Sequence, residues 1–342
     1  MAHTRRGRPW LASALGLTLV LAACTANNGG STGASSSAGG GATSDYPSET
    51  LQIMAPADPG GGWDSTARAM APVLEDVGGV NAEVRNVGGA GGTIGLADFV
   101  ENNSGDPYQL MVMGLVMVGG IVTNNSAVTL EDVTPIASLT SEQEAIVVPA
   151  DSEYQTLEEL VTAWKADPTS IAWGGGSAGG TDHILVGLLA QAAGIDPSGI
   201  NYVAHAGGGE AITAILSGSV SAGVSGVSEF ADQVESGAMR WLAVSGDSAP
   251  AGIDSPTISD AGYDVVLENW RGVVGAPELS GADREAVVGL ITEMHDSDAW
   301  QAALEDNGWS DFFKSGDEFA TFLGEEQTRI EGVLADIGLT GG

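Results

Sequence analysis

Four glycine-rich loops punctuate this chain, each standing between a short apolar run and a stretch that reads as helix. They are Asp58-Pro59-Gly60-Gly61-Gly62-Trp63-Asp64; residues 88–93, with Gly91, Gly92 and Thr93; residues 174–181, with Ser177, Ala178, Gly179, Gly180 and Thr181; and Ala206-Gly207-Gly208-Gly209. Residues 51–54, 84–87, 109–113, 145–148, 171–173, 202–204, 220–224 and 241–244 read as strands. Residues 65–75, a segment opening near Thr93, and residues 281–295, 298–306 and 316–337 read as helices. Strands alternating with helices predict an α/β architecture. A glycine-rich loop that enters a helix can aim backbone N–H groups at an anion, with partial positive charge from the helix start and no Cβ to hinder approach. The same loops serve equally as four tight turns with no ligand.

The charge balance favours backbone recognition over a basic patch. Against 45 Asp and Glu the 342 residues carry 11 Lys and Arg, a formal net charge of −34. Nucleic acid is excluded as a partner, since counterion release needs a basic surface and this one repels phosphate. Charged residues make up only 16% of the chain, so the acidity reflects scarce bases (the lysines are Lys165 and Lys314) rather than an acidic block, and solubility accounts for it.

Cys24 is the single cysteine, so no disulfide can form and the fold must be held by its core. Leu21-Ala22-Ala23-Cys24 closes an apolar run, residues 10–21, that follows Arg5, Arg6 and Arg8. This is the form of a lipoprotein signal, too short for the roughly 20 apolar residues of a membrane span. Residues 1–23 are expected to be removed, leaving Cys24 acylated in the lipid bilayer, where thioether lipid and N-acylation together supply the two signals stable tethering needs. The alternative is a buried free thiol. Residues 24–45 hold almost only Thr, Ala, Asn, Gly and Ser, the composition of a flexible tether. The remainder is expected to form two lobes, residues 46–145 with 247–342, and residues 146–246.

Two enzyme motifs overlap in the third loop. Gly175-Gly176-Ser177-Ala178-Gly179 satisfies G-x-S-x-G after a strand, with His183 and His205 downstream, which admits a secreted serine hydrolase using Ser177. The signal is weak, because so glycine-rich a run satisfies many patterns and a hydrolase wants its acid and then its histidine late in the chain, where only His295 stands. His183 reads better as a first-turn helix residue facing the cleft or its own loop. Residues 174–179 also fit G-x-G-x-x-G with Asp196 at a suitable distance, but a dinucleotide does not suit an exported chain. No loop is followed by Gly-Lys-Ser or Gly-Lys-Thr, and four histidines with one cysteine give no zinc constellation. No cofactor and no metal are expected.

At these residues the chain resembles the solute receptors of the tripartite tricarboxylate transporters. The likeness runs through Pro59-Gly60-Gly61-Gly62 with Asp64 and Arg68, residues 86–95, residues 149–160 and Gly176-Ser177-Ala178-Gly179-Gly180-Thr181 with His183. It continues through Ala206-Gly207-Gly208-Gly209 with Leu216 and Gly218, Leu242-Ala243-Val244, residues 257–263, and Trp270 with Gly272. The resemblance implies a type II periplasmic-binding-protein fold, two α/β lobes joined by crossing strands and closing on a small carboxylate held by loop amides and ordered water. It implies capture outside the cytoplasm and delivery to membrane permease subunits, with no covalent chemistry. A sensor subunit for a membrane kinase would use the same closure and is a rival, beside the hydrolase.

On this reading Pro59, Gly60, Gly61, Gly62 and Trp63 bind the anion from one lobe, with Gly91, Gly92 and Thr93, and Ser177, Ala178, Gly179, Gly180 and Thr181 from the other, with Ala206, Gly207 and Gly208. Asp64, His183, Ser225 and Ser228 tune orientation and selectivity. Asp64 serves equally as a helix cap, with Arg68 as its i,i+4 partner, and Trp63 and Trp270 line the cleft or pack beside it. Two departures bear on the solute: His205-Ala206 stands where the family often has Tyr-Lys, and residues 114–118 are apolar where it tends to be polar. The second is either a less polar pocket wall or plain core.

Overall fold

The computed structural model describes residues 46–205 and 208–340. The signal, Cys24, the tether, Ala206 and Gly207 lie outside the described residues. The chain begins with β1 (Leu51–Ala55), α1 (Gly62–Gly78), β2 (Ala82–Asn86), α2 (Thr93–Asn102), β3 (Gln109–Gly114), α3 (Leu115–Thr123) and β4 (Thr134–Ser141). A second set follows: β5 (Glu144–Pro149), α4 (Leu157–Ala166), β6 (Ala172–Gly175), α5 (Thr181–Ala193), β7 (Asn201–Ala204), α6 (Gly208–Leu216), β8 (Ala222–Gly226), α7 (Val227–Glu235) and β9 (Met239–Val244). The chain then adds β10 (Arg271–Gly275), α8 (Gly281–His295), α9 (Asp298–Asn307), β11 (Ser310–Ser315) and α10 (Gly316–Asp336).

These strands make two mixed sheets, ordered β11-β4-β10-β3-β1-β2 and β7-β6-β8-β5-β9. In the first, β1 lies parallel to β2 and β3, while β10 returns antiparallel between β3 and β4. In the second, β6 is parallel to β7 and β8, and β5 is antiparallel to β8 and β9. Central strands are near-continuous apolar runs because helices cover them; β1 buries every residue but Gln52. The chain passes between the sheets twice, at residues 142–143 and 268–270. The two passages pair: Asn269 N–H donates to the Glu142 carbonyl at 2.9 Å, and Glu142 N–H to that of Asn269 at 3.3 Å. Trp164 and Trp173 pack at 4.9 Å beside the second sheet, and Trp270 and Trp300 are likewise fully buried.

Several elements depart from the sequence expectations. α1 starts at Gly62 rather than Ser65, because the glycine loop itself supplies the first turn, after an extended Gly61. Residues 115–123 form the unforeseen helix α3, whose apolar residues lie mostly in the core. Its two glycines are dictated by contact rather than by helix propensity: a Cβ on Gly119 would lie 2.2 Å from the carbonyl oxygen of Gly179, and one on Gly120 2.9 Å from that of Gly91. β4, β10 and β11 were also not foreseen, and none of them is a simple apolar run: β4 contains Pro135, and β10 and β11 open on Arg271-Gly272 and Ser310-Asp311.

Candidate functional site

A cavity of ≈ 380 Å³ lies where the two sheets meet. From the first sheet's side it is lined by Gly62 and Trp63 at the start of α1, Val116 of α3 and Arg271 at the start of β10. The second contributes Gly176, Ser177, Gly180, Thr181 and Asp182 around the start of α5, Ser225 and Gly226 at the end of β8, and Glu229 of α7. Glu142 and Asn269, from the paired passages, and Glu144, which opens β5, complete the wall. First-turn N–H groups such as those of Gly62, Trp63 and Thr181 have no intrahelical acceptor, and both helix starts add partial positive charge. A Cβ on Gly62 would lie 2.9 Å from Arg271 Nη2, so a side chain there would displace the guanidinium.

The rest of the first loop supports this wall from behind. Asp64 is buried and accepts hydrogen bonds from Gly60 N–H at 2.8 Å, Asn86 Nδ2 at 2.9 Å and Arg68 Nε at 2.9 Å. The Arg68 hydrogen bond, helped by Gly60 and Asn86, lowers the Asp64 carboxyl to about 2. Asp64 therefore staples its own loop, Gly60 N–H is spent on it, and Pro59, Gly60 and Gly61 do not line the cavity. Gly91 faces an adjoining cavity of ≈ 390 Å³, shared with Ser177, Ala178, Gly179 and Gly180. Gly92 packs against the Trp63 ring, and Thr93 Oγ1 donates to the Ala90 carbonyl at 2.9 Å. Gly208 opens α6.

His183 serves its own loop. Its Nδ1 accepts Gly179 N–H at 3.3 Å, and its ring stacks on Tyr202 at 3.9 Å. Burial pulls it down to about 4, which keeps Nδ1 an acceptor at neutral pH. His205 Nδ1 lies 3.1 Å from the Gly175 carbonyl, and His295 stacks on Phe313 between Asp296 and Asp311. Among the described residues no histidine is hydrogen-bonded to Ser177, so the nucleophile–base pair a serine hydrolase requires is not assembled. Trp63 reaches the cavity, whereas Trp270 is core, its Nε1 donating to Glu326 at 3.1 Å. Of the apolar segment, Leu115, Met117 and Val118 are core and Val116 is wall.

Charged wall residues were missed in the sequence. Arg271 pairs with Glu142 at 3.3 Å, each side chain 12% exposed. Ser228 donates to the other oxygen of Glu142, and Ser225 Oγ to Glu229 at 2.8 Å. Asp182 accepts Gly176 N–H at 2.6 Å, and Glu144 accepts Asn269 Nδ2 at 3.1 Å. Burial raises Asp182 to about 6, and burial, then the charges of Asp182, Glu142 and Glu229, raise Glu144. A faint signal existed in Glu144, a lone acid opening an otherwise apolar strand. Among the described residues no group of three or more His, Cys, Asp or Glu side chains is placed to hold a metal ion, and no helix is long and apolar enough to cross a membrane.

Residues 67–339 match the family model described as the tripartite tricarboxylate transporter family receptor, TctC. The chain belongs to this family. BugT of Bordetella pertussis is 28% identical to this TctC receptor over 306 residues, spanning 86% of this chain and 90% of BugT. A TctC solute-binding protein from Polaromonas superposes with a TM-score of 0.72 at 24% identity, covering 85% of this chain and 99% of that one. An R. palustris protein solved with adipate gives 0.71 at 22% identity, covering 86% and 99%. The fold is thus that of the periplasmic binding proteins, as the resemblance implied. TctC receptors are extracytoplasmic binding proteins, not enzymes.

Proposed function

We propose that this TctC receptor captures a small carboxylate in the ≈ 380 Å³ cavity and hands it to the membrane subunits of a tripartite tricarboxylate-type transporter, while acylated Cys24 holds it to the cell membrane. The observation that carries this reading is the convergence of two helix starts and one guanidinium on a single cavity between the sheets: Gly62 and Trp63 of α1, Thr181 of α5, and Arg271. Backbone N–H groups at a helix start attract a carboxylate without a basic surface, which suits so acidic a chain. The adipate-bound relative supports the ligand class. The cavity draws residues from both sheets and from the passages between them, which supports a reading in which residues 46–145 with 247–342 and residues 146–246 act as lobes that close on the solute. Ser177, Gly180 and Thr181 contact the carboxylate from the second lobe, while Asp64, His183, Ser225 and Ser228 position the groups that do.

Trp63 reports the event. Adding a bound carboxylate is expected to change tryptophan emission in the intact protein, and Trp63→Phe to remove that change. Binding seen by calorimetry with emission identical in both proteins would place the solute elsewhere.

A further inference from the structure

The cavity that this reading assigns to a carboxylate has four carboxylates of its own. Glu142, Glu144, Asp182 and Glu229 line it, against the single guanidinium of Arg271. Glu142 is compensated by Arg271 and Ser228, Asp182 accepts one backbone N–H, and Glu229 accepts one hydroxyl. Glu144 is different. It is 1% exposed, its one hydrogen-bonded oxygen takes Asn269 Nδ2, and its Oε2 has no donor among the described residues. Asp182 lies within side-chain hydrogen-bonding reach of Glu144, and the two can bond only by sharing one proton, which leaves the pair short of a donor once both are ionised. Thr181 Oγ1, 2% exposed and on the same wall, is also unpartnered among the described residues. Buried carboxylate oxygens left without donors are costly, and a dicarboxylate laid against them would add like charge.

Resting on the carboxylate-receptor reading, we infer that the solute carries a protonated nitrogen as well as a carboxylate, the nitrogen seated against Glu144, Asp182 and Glu229. Its carboxylate then lies toward Arg271 and the starts of α1 and α5. An ammonium brings three donors, enough for Glu144 Oε2 and its neighbours, and it neutralises charge that Arg271 leaves uncompensated. Burial first, and then the neighbouring carboxylates, raise Glu144, and burial raises Asp182; a cation seated against them would oppose both. The charged and titrating groups around Glu144 are Glu142 in the passage before β5, Asp182 of α5, Glu229 of α7 and Arg271 of β10. Seating a cation among them favours their ionised forms and so displaces protons.

Matched pairs differing only by an amine test this: glutarate with glutamate, adipate with 2-aminoadipate, and butyrate with 4-aminobutyrate, titrated calorimetrically into the intact protein in two buffers of different ionisation enthalpy. In at least one pair the amine-bearing acid is expected to bind about tenfold tighter or more, as a charge-assisted hydrogen bond allows, and to release protons. Glu144→Gln is expected to bring that pair to near parity and abolish the proton release. Glu229→Gln, at an exposed helix position, is expected to narrow the preference if the first variant folds poorly. Amine-free acids binding as tightly as their partners throughout would overturn the inference and leave the carboxylate-receptor reading standing. No binding by any member would overturn both.

Discussion

Gly119 of α3 and Gly179 of the loop before α5 are in backbone contact across the two sheets, so close that a Cβ on Gly119 would lie 2.2 Å from the Gly179 carbonyl oxygen. α3 follows β3 of the first sheet and the Gly179 loop follows β6 of the second. The pair therefore measures how closely the two cavity walls approach.

Gly119→Ala adds one methyl at that contact and, within a helix, improves propensity by about 1 kcal/mol, so any loss belongs to the contact. Overpacking of this kind costs about 1–3 kcal/mol. The variant is expected to widen the solution envelope measured by small-angle scattering and to weaken carboxylate binding about tenfold or more. Unchanged scattering and affinity would show that this contact does not control closure.

Asp64 gives a pH signature. Its folded-state carboxyl sits at about 2, below the ordinary value near 4, with the Arg68 hydrogen bond the largest cause. The ionised form is favoured by folding, so its contribution is fully present above about pH 4 and is lost as pH falls through about 2. Asp64→Asn is expected to cost about 1–3 kcal/mol at pH 7. Urea unfolding should show a gap that is constant from pH 7 to about 4 and narrows below it; a gap independent of pH down to 2.5 would contradict the assignment.

Some of this was legible in the chain. α8 runs over Gly281–His295, as its pattern predicts, with Ser280 accepting from Asp283 N–H as a cap, and the Asp64–Arg68 pair lies at the spacing that suggested it. Local signals sufficed because these features are local. The charged wall was not legible: Arg271 and Glu142 are 129 residues apart and meet only because the two passages between sheets pair. Likewise α3 owes its glycines to neighbours that no window of sequence contains.

The third loop separates a backbone role from a side-chain role. The Ser177 hydroxyl contributes at most one hydrogen bond, so Ser177→Ala is expected to weaken binding by about 0.5–1.5 kcal/mol, up to about 3 to a charged group. Gly179 has φ +76°, and its Cβ would lie 2.2 Å from Thr123 Cγ2. Gly179→Val is expected to lose far more, because a branched residue resists that backbone conformation and collides with α3. Calorimetry on both variants checks the order; ester hydrolysis by the parent that vanishes in Ser177→Ala would contradict it.

The anchor is tested by fractionation. Cys24→Ala is expected to release the protein into the medium or to block signal removal, since two lipid signals would be lost at once. A variant that still pellets with salt-washed membranes would contradict the lipoprotein assignment.

Thermal unfolding across a panel of succinate, malate, glutarate, adipate, citrate and their amino-substituted counterparts tests the central claim most directly. A ligand at a hundred times its Kd stabilises by about 2.7 kcal/mol. At least one member is expected to raise Tm in the intact protein, and Arg271→Gln, which removes the guanidinium facing the cavity, to shrink that rise. A flat response to every member would contradict carboxylate capture by this receptor.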